Sequence, residues 1–294
     1  MPSARDAWPP LPLAEWEGTR ATLHMVTQIL GKLKLALLPM EPEWGQVPLW
    51  VTPRGLTTGP LPDETRTFAV DLDLVDHSLT IADSNGELVS LPLRPPVASV
   101  YRDLMAALGK LGVKVEVSTL PSEVADPIPF PDDTTHAAYD PEPVDRFRRI
   151  LVLVDMALRE HRAGFKGRTT AVSFWWGTFD LAVTLFSGRP ASPPPDADPI
   201  MRRGMDAEET CVGFWPGDDR FPDPAFFAYA YPSPEGYAAS PVAPRGAFWS
   251  DALGEFVLPY EEVRSAASPH DAILAFCRST HEAAATLGNW DRRA

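Results

Sequence analysis

Residues 173–189 read SFWWGTFDLAVTLFSGR, and the way this stretch folds decides the architecture around it. Apolar and aromatic residues flank Gly177 on both sides, the pattern of a strand, a turn and a second strand. Trp175 and Trp176 are adjacent, and neighbours on a strand point to opposite faces. One of the two indoles is therefore expected to leave the core for a neighbouring element, a pocket or solvent. Asp180 sits between Phe179 and Leu181, where a buried carboxylate needs a partner. Arg189 or Arg54 could supply a bidentate pairing, either in a structural ion pair or at a site.

Upstream, residues 141–165 carry Val144, Phe147, Ile150, Leu151, Val154 and Leu158 at helical spacing. Downstream comes a proline-rich loop, SGRPASPPPDADP, followed by strand-like pieces at CVGFWPG, PAFFAYAYP, GAFW and EFVLPY and a helix over 269–287. The first part of the chain has a similar order. A helix is expected over 13–38, with Leu23, Val26, Leu30, Leu33 and Leu37 on one side. VPLWVTPRGLTTGPL at 47–61 and an alternating meander at 67–93 follow, the latter turning at Ser84-Asn85-Gly86. A second helix spans 97–111 and stops at Gly112, and KVEVST alternates like a strand.

Set side by side, both parts run helix, tryptophan-bearing strand pair, meander, helix. Gly86-Glu87-Leu88-Val89 precedes one closing helix much as Gly254-Glu255-Phe256-Val257 precedes the other. The expected fold is α+β: two similar halves, each a helix, an antiparallel β-meander and a helix, an internal duplication packed around a shared cleft. The halves divide as 1–120 and 141–294. A linker at 121–140 is rich in proline and acidic residues and lacks periodicity.

Composition narrows the function classes. A net charge of -14 with no basic run argues against a nucleic-acid partner, whose phosphates need Lys and Arg. No apolar run approaches a membrane span, and the first residues lack the basic start and apolar core of a signal peptide, so a cytoplasmic location is expected. Cys211 and Cys277 are too few for a disulfide framework or a thiolate metal site, although a single bridge between them is geometrically open. The histidines share no metal-ligand spacing, leaving only a site assembled in space. No nucleophile elbow, phosphate loop or dinucleotide fingerprint occurs, and no cofactor is indicated.

Candidate residues come from unusual polar chemistry. Arg20, His24 and Gln28 recur every four residues on the first helix with Lys32 next in line; this stripe is either a solvated face or the wall of a polar cavity. His77 follows Asp76 at a strand end, where a carboxylate could fix its tautomer, or where it simply bonds its own turn. His136 is placed to latch the following helix, whereas His161, His270 and His281 read as surface residues. In an enzyme, His24 or His77 would do acid-base work, Asp180 would orient or serve as the anion, and arginine would clamp an anion. Arg20, Gln28, Lys32, Arg54, Thr57, Trp175, Trp176 and Arg189 would bind the ligand.

The pieces TLHMVTQILGK, VPLWVTPRGLTTGPLP, VDHSL, THAAYDP, FWWGTFDLAVTLFSGR, GFWPG, AFFAYAYPSPEGY and GEFVLPYEEVR cover nearly the whole chain. With them the sequence resembles an uncharacterised bacterial family, domain-of-unknown-function family 5996. The resemblance implies no activity. It also implies histidines at two positions that hold Ser173 and Ala207 here. The functional expectation is a small polar or anionic molecule bound in an aromatic-polar cleft between the halves, with nothing to decide whether it is also transformed. A protein-interaction module using exposed aromatic loops, GFWPG and FFAYAYPSPEGY, is the alternative.

Overall fold

A computed structural model describes residues 7–193, 195–197, 201–218 and 221–291. After a 3-10 turn at Leu13–Glu15, helix α1 spans Glu17–Leu37. Its apolar stripe is buried from Leu23 to Leu33, with Leu37 at its end half-buried; Val26, Leu30 and Leu33 are each 0% exposed. Every such side chain contributes roughly 1.5–3 kcal/mol relative to exposure. The first sheet comprises β1 (Trp50–Thr52), β2 (Gly55–Thr57), β3 (Leu61–Asp63), β4 (Arg66–Asp73), β5 (Ser78–Asp83) and β6 (Leu88–Pro92). Its order is β1-β2-β4-β5-β6, with β3 also on β4. Phe68, Val70, Leu72, Leu79 and Ile81 face the core in the expected period of two. Helix α2, Val97–Lys110, completes this half.

The second half opens with α3, Pro141–Ala163, whose N-cap Asp140 accepts from the Glu142 amide at 3.0 Å. The second sheet has β7 (Ser173–Trp175), β8 (Asp180–Pro190), β9 (Ala207–Trp215), β10 (Ala225–Tyr231), β11 (Phe248–Ser250) and β12 (Glu255–Pro259), in the order β11-β12-β10-β9-β8-β7. Short helices α4 (Met201–Gly204) and α5 (Tyr260–Ser265) precede α6, Pro269–Leu287, which Ser268 caps. One face of this sheet, with Leu181, Val183, Val212, Phe214, Phe226 and Leu258, joins the core that contains α3 and α6 residues. The opposite face is largely buried as well, so that burial along β8 from Asp180 to Phe186 and along β9 from Glu209 to Trp215 is unbroken and polar residues on that face are buried with the apolar ones.

Each half is therefore an antiparallel sheet flanked by helices, and the fold is α+β with two similar halves. The hairpin 50–57 and the pair β7–β8 are the equivalent tryptophan-bearing units, and they meet. Leu49 and Phe174 exchange backbone hydrogen bonds of 2.9 and 2.8 Å, joining the sheets at their edges. The Trp176 indole lies against Gly31 of α1, where a Cβ would overlap the ring, and its Nε1 donates to the Val47 carbonyl at 2.8 Å.

Several local expectations change. The first helix begins at Glu17 because residues 13–15 form a 3-10 turn. KVEVST forms no strand, since no ladder partner lies beside it. The segment 121–140 is packed in place: Phe130 and Asp133 are buried, and Asp140 donates its amide to Thr19 Oγ1 at 3.0 Å. His136 latches the preceding helix instead of the following one, its carbonyl accepting from the first amide of α2 at 3.1 Å while Nδ1 meets Asp133 Oδ2 at 2.7 Å. His161 is buried against His281, because the charged end of α3 folds onto α6. Both cysteines are buried free thiols. Part of the proline-rich loop, residues 194 and 198–200, lies outside the described residues. No helix among the described residues is long and apolar enough to cross a membrane.

Candidate ligand-binding cavity

The face of the second sheet turned away from α3 and α6 forms the floor of a cavity of about 720 Å³, within the range of small-molecule sites. Alternation along the strands decides what reaches it. β8 contributes Asp180, Ala182, Thr184 and Phe186; β9 contributes Glu209, Cys211 and Trp215; β10 contributes Phe227 and Tyr229; β12 contributes Glu255. The register orders them in rows: Phe186 opposite Glu209, then Thr184, Cys211 and Tyr229, then Ala182, Gly213 and Phe227. Gly213 has room for nothing larger, because a Cβ there would meet the Phe227 ring at 2.5 Å. The other walls come from Leu35, Trp44 and Val47 of the first half, from Ser122 and Glu123, and from Trp175 and Trp176.

Among the described residues the lining carries Glu43, Glu123, Asp180, Glu209 and Glu255, and neither lysine nor arginine. Glu209 is 4% exposed, and its carboxyl makes no hydrogen bond or ion pair among the described residues. Burial, with Asp206 nearby, pushes its pKa from 4.5 up to about 8 against the pull of Arg168. Asp180 accepts a hydrogen bond from Thr178 Oγ1. Burial raises its pKa to about 7, opposed by the Thr178 bond and helped by Glu123 and Glu255. In the middle row Cys211 bonds both Thr184 and Tyr229, and burial pushes its thiol up to about 12. That row is internally satisfied and chemically inert.

The surrounding loops are held in costly conformations. Glu43 (φ 51°), Trp44 (φ 58°) and Glu123 (φ 58°) line the cavity in the left-handed region, and Phe179 (φ 60°) precedes Asp180 in the same region. Such residues cost about 1–3 kcal/mol each and gather at functional sites. The Glu123 carboxylate occupies the space that a side chain at Gly177 would need. Glu43 is clamped by Arg168 at 2.7 Å, and the Arg168 guanidinium lies 4.1 Å from the Phe186 ring centroid.

Of the residues singled out from sequence, Trp175, Trp176 and Asp180 line the cavity. His24, Gln28 and Lys32 stand behind its wall. The His24 Nε2 is 2.9 Å from the Gly177 carbonyl, and burial lowers its pKa to about 4, so the neutral ring donates there. Gln28 donates to the Ser122 carbonyl at 2.7 Å and accepts its amide at 2.9 Å, while Lys32 reaches Ser122 Oγ at 2.6 Å. Gln28 and Lys32 of the polar stripe thus bind Ser122, and His24 binds the Gly177 turn. Arg20, on the same helix, opposes protonation of His24. His77 occupies a turn with φ 51° and bonds Tyr139 at 2.8 Å, its partner being this hydroxyl and not Asp76. Thr57 Oγ1 accepts the Gly59 amide at 3.0 Å.

Neither Arg54 nor Arg189 pairs with Asp180. Arg54 pairs with Asp73 at the end of β4 at 2.5 Å and with Asp76 in the turn after it at 2.6 Å, and Arg189 pairs with Glu208 at 2.6 Å. Loop aromatics expected on a rim are strand residues: Phe214 and Phe226 are core, and Trp215, Phe227 and Tyr229 face the cavity. Glu209 was hidden in the sequence by its acidic neighbour Glu208, and Glu255 by its place directly after the turn glycine Gly254. No group of three or more His, Cys, Asp or Glu among the described residues is placed to hold a metal ion.

No curated protein and no solved structure matches the chain. A family model described as a family of unknown function (DUF5996) matches residues 8–294, and the chain belongs to that family.

Proposed function

We propose that the protein binds a small organic cation in the aromatic, carboxyl-lined cavity. The observation that carries this reading is Glu209, a carboxyl 4% exposed and, among the described residues, without a bonded partner and on a lining without lysine or arginine. An ionised carboxyl in such a place is strongly unfavourable until a cation joins it. Aromatic faces around it add roughly 0.5–2 kcal/mol per well-placed cation–π contact. An anionic ligand, the other branch of the sequence-based expectation, would meet carboxyl groups without a compensating positive side chain among the described residues of the lining. Trp175, Trp176 and Asp180 act here as contact residues, and His24, Gln28 and Lys32 as supports of the wall.

Tryptophan fluorescence titration with a matched trio tests the reading: an alkyltrimethylammonium ion, its neutral tert-butyl isostere and the corresponding carboxylate. The cation is expected to bind at least about tenfold more tightly than the isostere, a difference of 1.4 kcal/mol. The carboxylate is expected not to bind. Equal affinity of the cation and its isostere would refute the proposal.

A further inference from the structure

The two strongly buried carboxyls of the cavity stand at opposite ends of one strand pair. Asp180 begins β8, and Glu209 lies across from Phe186 on the neighbouring strand. Six steps of β8 separate Asp180 from Phe186, about 20 Å at roughly 3.3 Å per residue. Between the ends the polar groups are already satisfied, Cys211 holding Thr184 and Tyr229, and the next row presents Ala182, Gly213 and Phe227. The two most deeply buried carboxyls therefore stand at separated points, and the thiol and hydroxyls of the row between them bond one another, with Glu255 beside Tyr229 at the far edge of that row. Each point has aromatic surface beside it: Trp175 pairs with Asp180 in the ladder, and Phe186 with Glu209.

Resting on the cation-binding reading of this cavity, we infer that its ligand is an elongated dication, with one positive group met by Asp180 and the other by Glu209. Separation also excludes the two carboxyls from acting together on one bond, because paired carboxyl catalysis of glycoside type needs them about 5–9.5 Å apart. The groups facing Glu209 are Asp206 and Arg168, and Arg168 is itself neutralised by Glu43 at 2.7 Å. Those facing Asp180 are Thr178, Glu123 and Glu255. Neither end presents an uncompensated positive charge that would repel an ammonium group. Allowing about 3 Å at each end for an N–H···O contact leaves roughly 14 Å between the two nitrogens.

Calorimetric titration of the full chain with a series of α,ω-diamines (diaminobutane, diaminooctane, diaminododecane) and with octylamine tests this. Affinity is expected to rise with length to an optimum near about eight to twelve carbons. At that optimum the diamine should bind at least about tenfold more tightly than octylamine. Glu209→Gln and Asp180→Asn should each reduce that ratio to about one, with unchanged circular dichroism showing the fold intact. Equal binding of octylamine and diaminooctane, or no dependence on length, overturns the dication while leaving the cation reading standing. Failure of every amine to bind overturns both, and the wild-type series decides the matter even if a variant does not fold.

Discussion

Replacing Glu209 by Gln should stabilise the protein at alkaline pH. The carboxyl has a folded-state pKa of about 8 against an ordinary value of 4.5, so the folded chain holds a proton that the unfolded chain releases. Wild-type stability from this group is then complete below pH 4.5 and declines as pH rises, reaching its floor above pH 8. At 1.36 kcal/mol for each tenfold change in proton affinity, the full decline is on the order of 3–5 kcal/mol. Glutamine keeps the shape and cannot ionise, so the variant escapes that decline. Asp180 and the buried histidines titrate alike in both proteins and cancel in the difference. Urea unfolding at pH 5, 7 and 9 should give near-equal stabilities at the first value and an advantage for Glu209→Gln that grows to about 3 kcal/mol or more at the last. Parallel curves, or a variant less stable at pH 9, would refute the placement of an unpaired carboxyl in the cavity.

On the acid side, His24, His161 and His281 each have pKa values lowered to about 4 by burial, so stability is lost as pH falls from about 6.5 toward 4. Thermal unfolding should therefore show a maximum near pH 6–7, between the histidine and carboxyl transitions; a monotonic rise from pH 5 to 9 would contradict it. Gln28→Leu removes both hydrogen bonds to Ser122 and leaves that backbone unpaired, a loss of about 2–4 kcal/mol in denaturant unfolding. Gly31→Ala pushes a methyl into the Trp176 indole, costing about 1–3 kcal/mol and shifting tryptophan emission as the cavity wall moves. Arg54→Ala breaks ion pairs at a side chain half exposed to solvent and away from the cavity lining. It should change stability by less than about 1 kcal/mol and leave cation affinity untouched in titration.

The helices were legible because their apolar residues recur at unmistakable spacing, and the one expected over 269–287 coincides with α6, which Ser268 caps. The doubled architecture was legible through the tryptophan hairpins, which occupy equivalent edge positions and touch at Leu49 and Phe174. The cavity was visible only in part. Trp175, Trp176 and Asp180 stood out because aromatic and acidic residues are unusual within an apolar run. Glu209 did not, since β9 is buried on both faces and shows no alternation that would mark its inward side. Glu43, Trp44 and Glu123 reach the cavity from irregular segments in the left-handed region, which no periodic pattern encodes. The helix stripe of His24, Gln28 and Lys32 signalled buried polar work correctly in kind, but that work is directed at Ser122 and the Gly177 turn.

Proton release on binding tests the central claim most directly. A bis-trimethylammonium alkane carries fixed charge, so any proton exchanged during its binding comes from the protein. Calorimetry near pH 7 in two buffers of different ionisation enthalpy should show protons leaving the complex, as the cation stabilises the ionised forms of Asp180 and Glu209, whose values of about 7 and about 8 leave the first about half protonated and the second largely protonated beforehand. Glu209→Gln should remove the larger share of that release. Binding with a heat independent of buffer, or no binding at all, would contradict a cavity built to hold cations on its buried carboxyls.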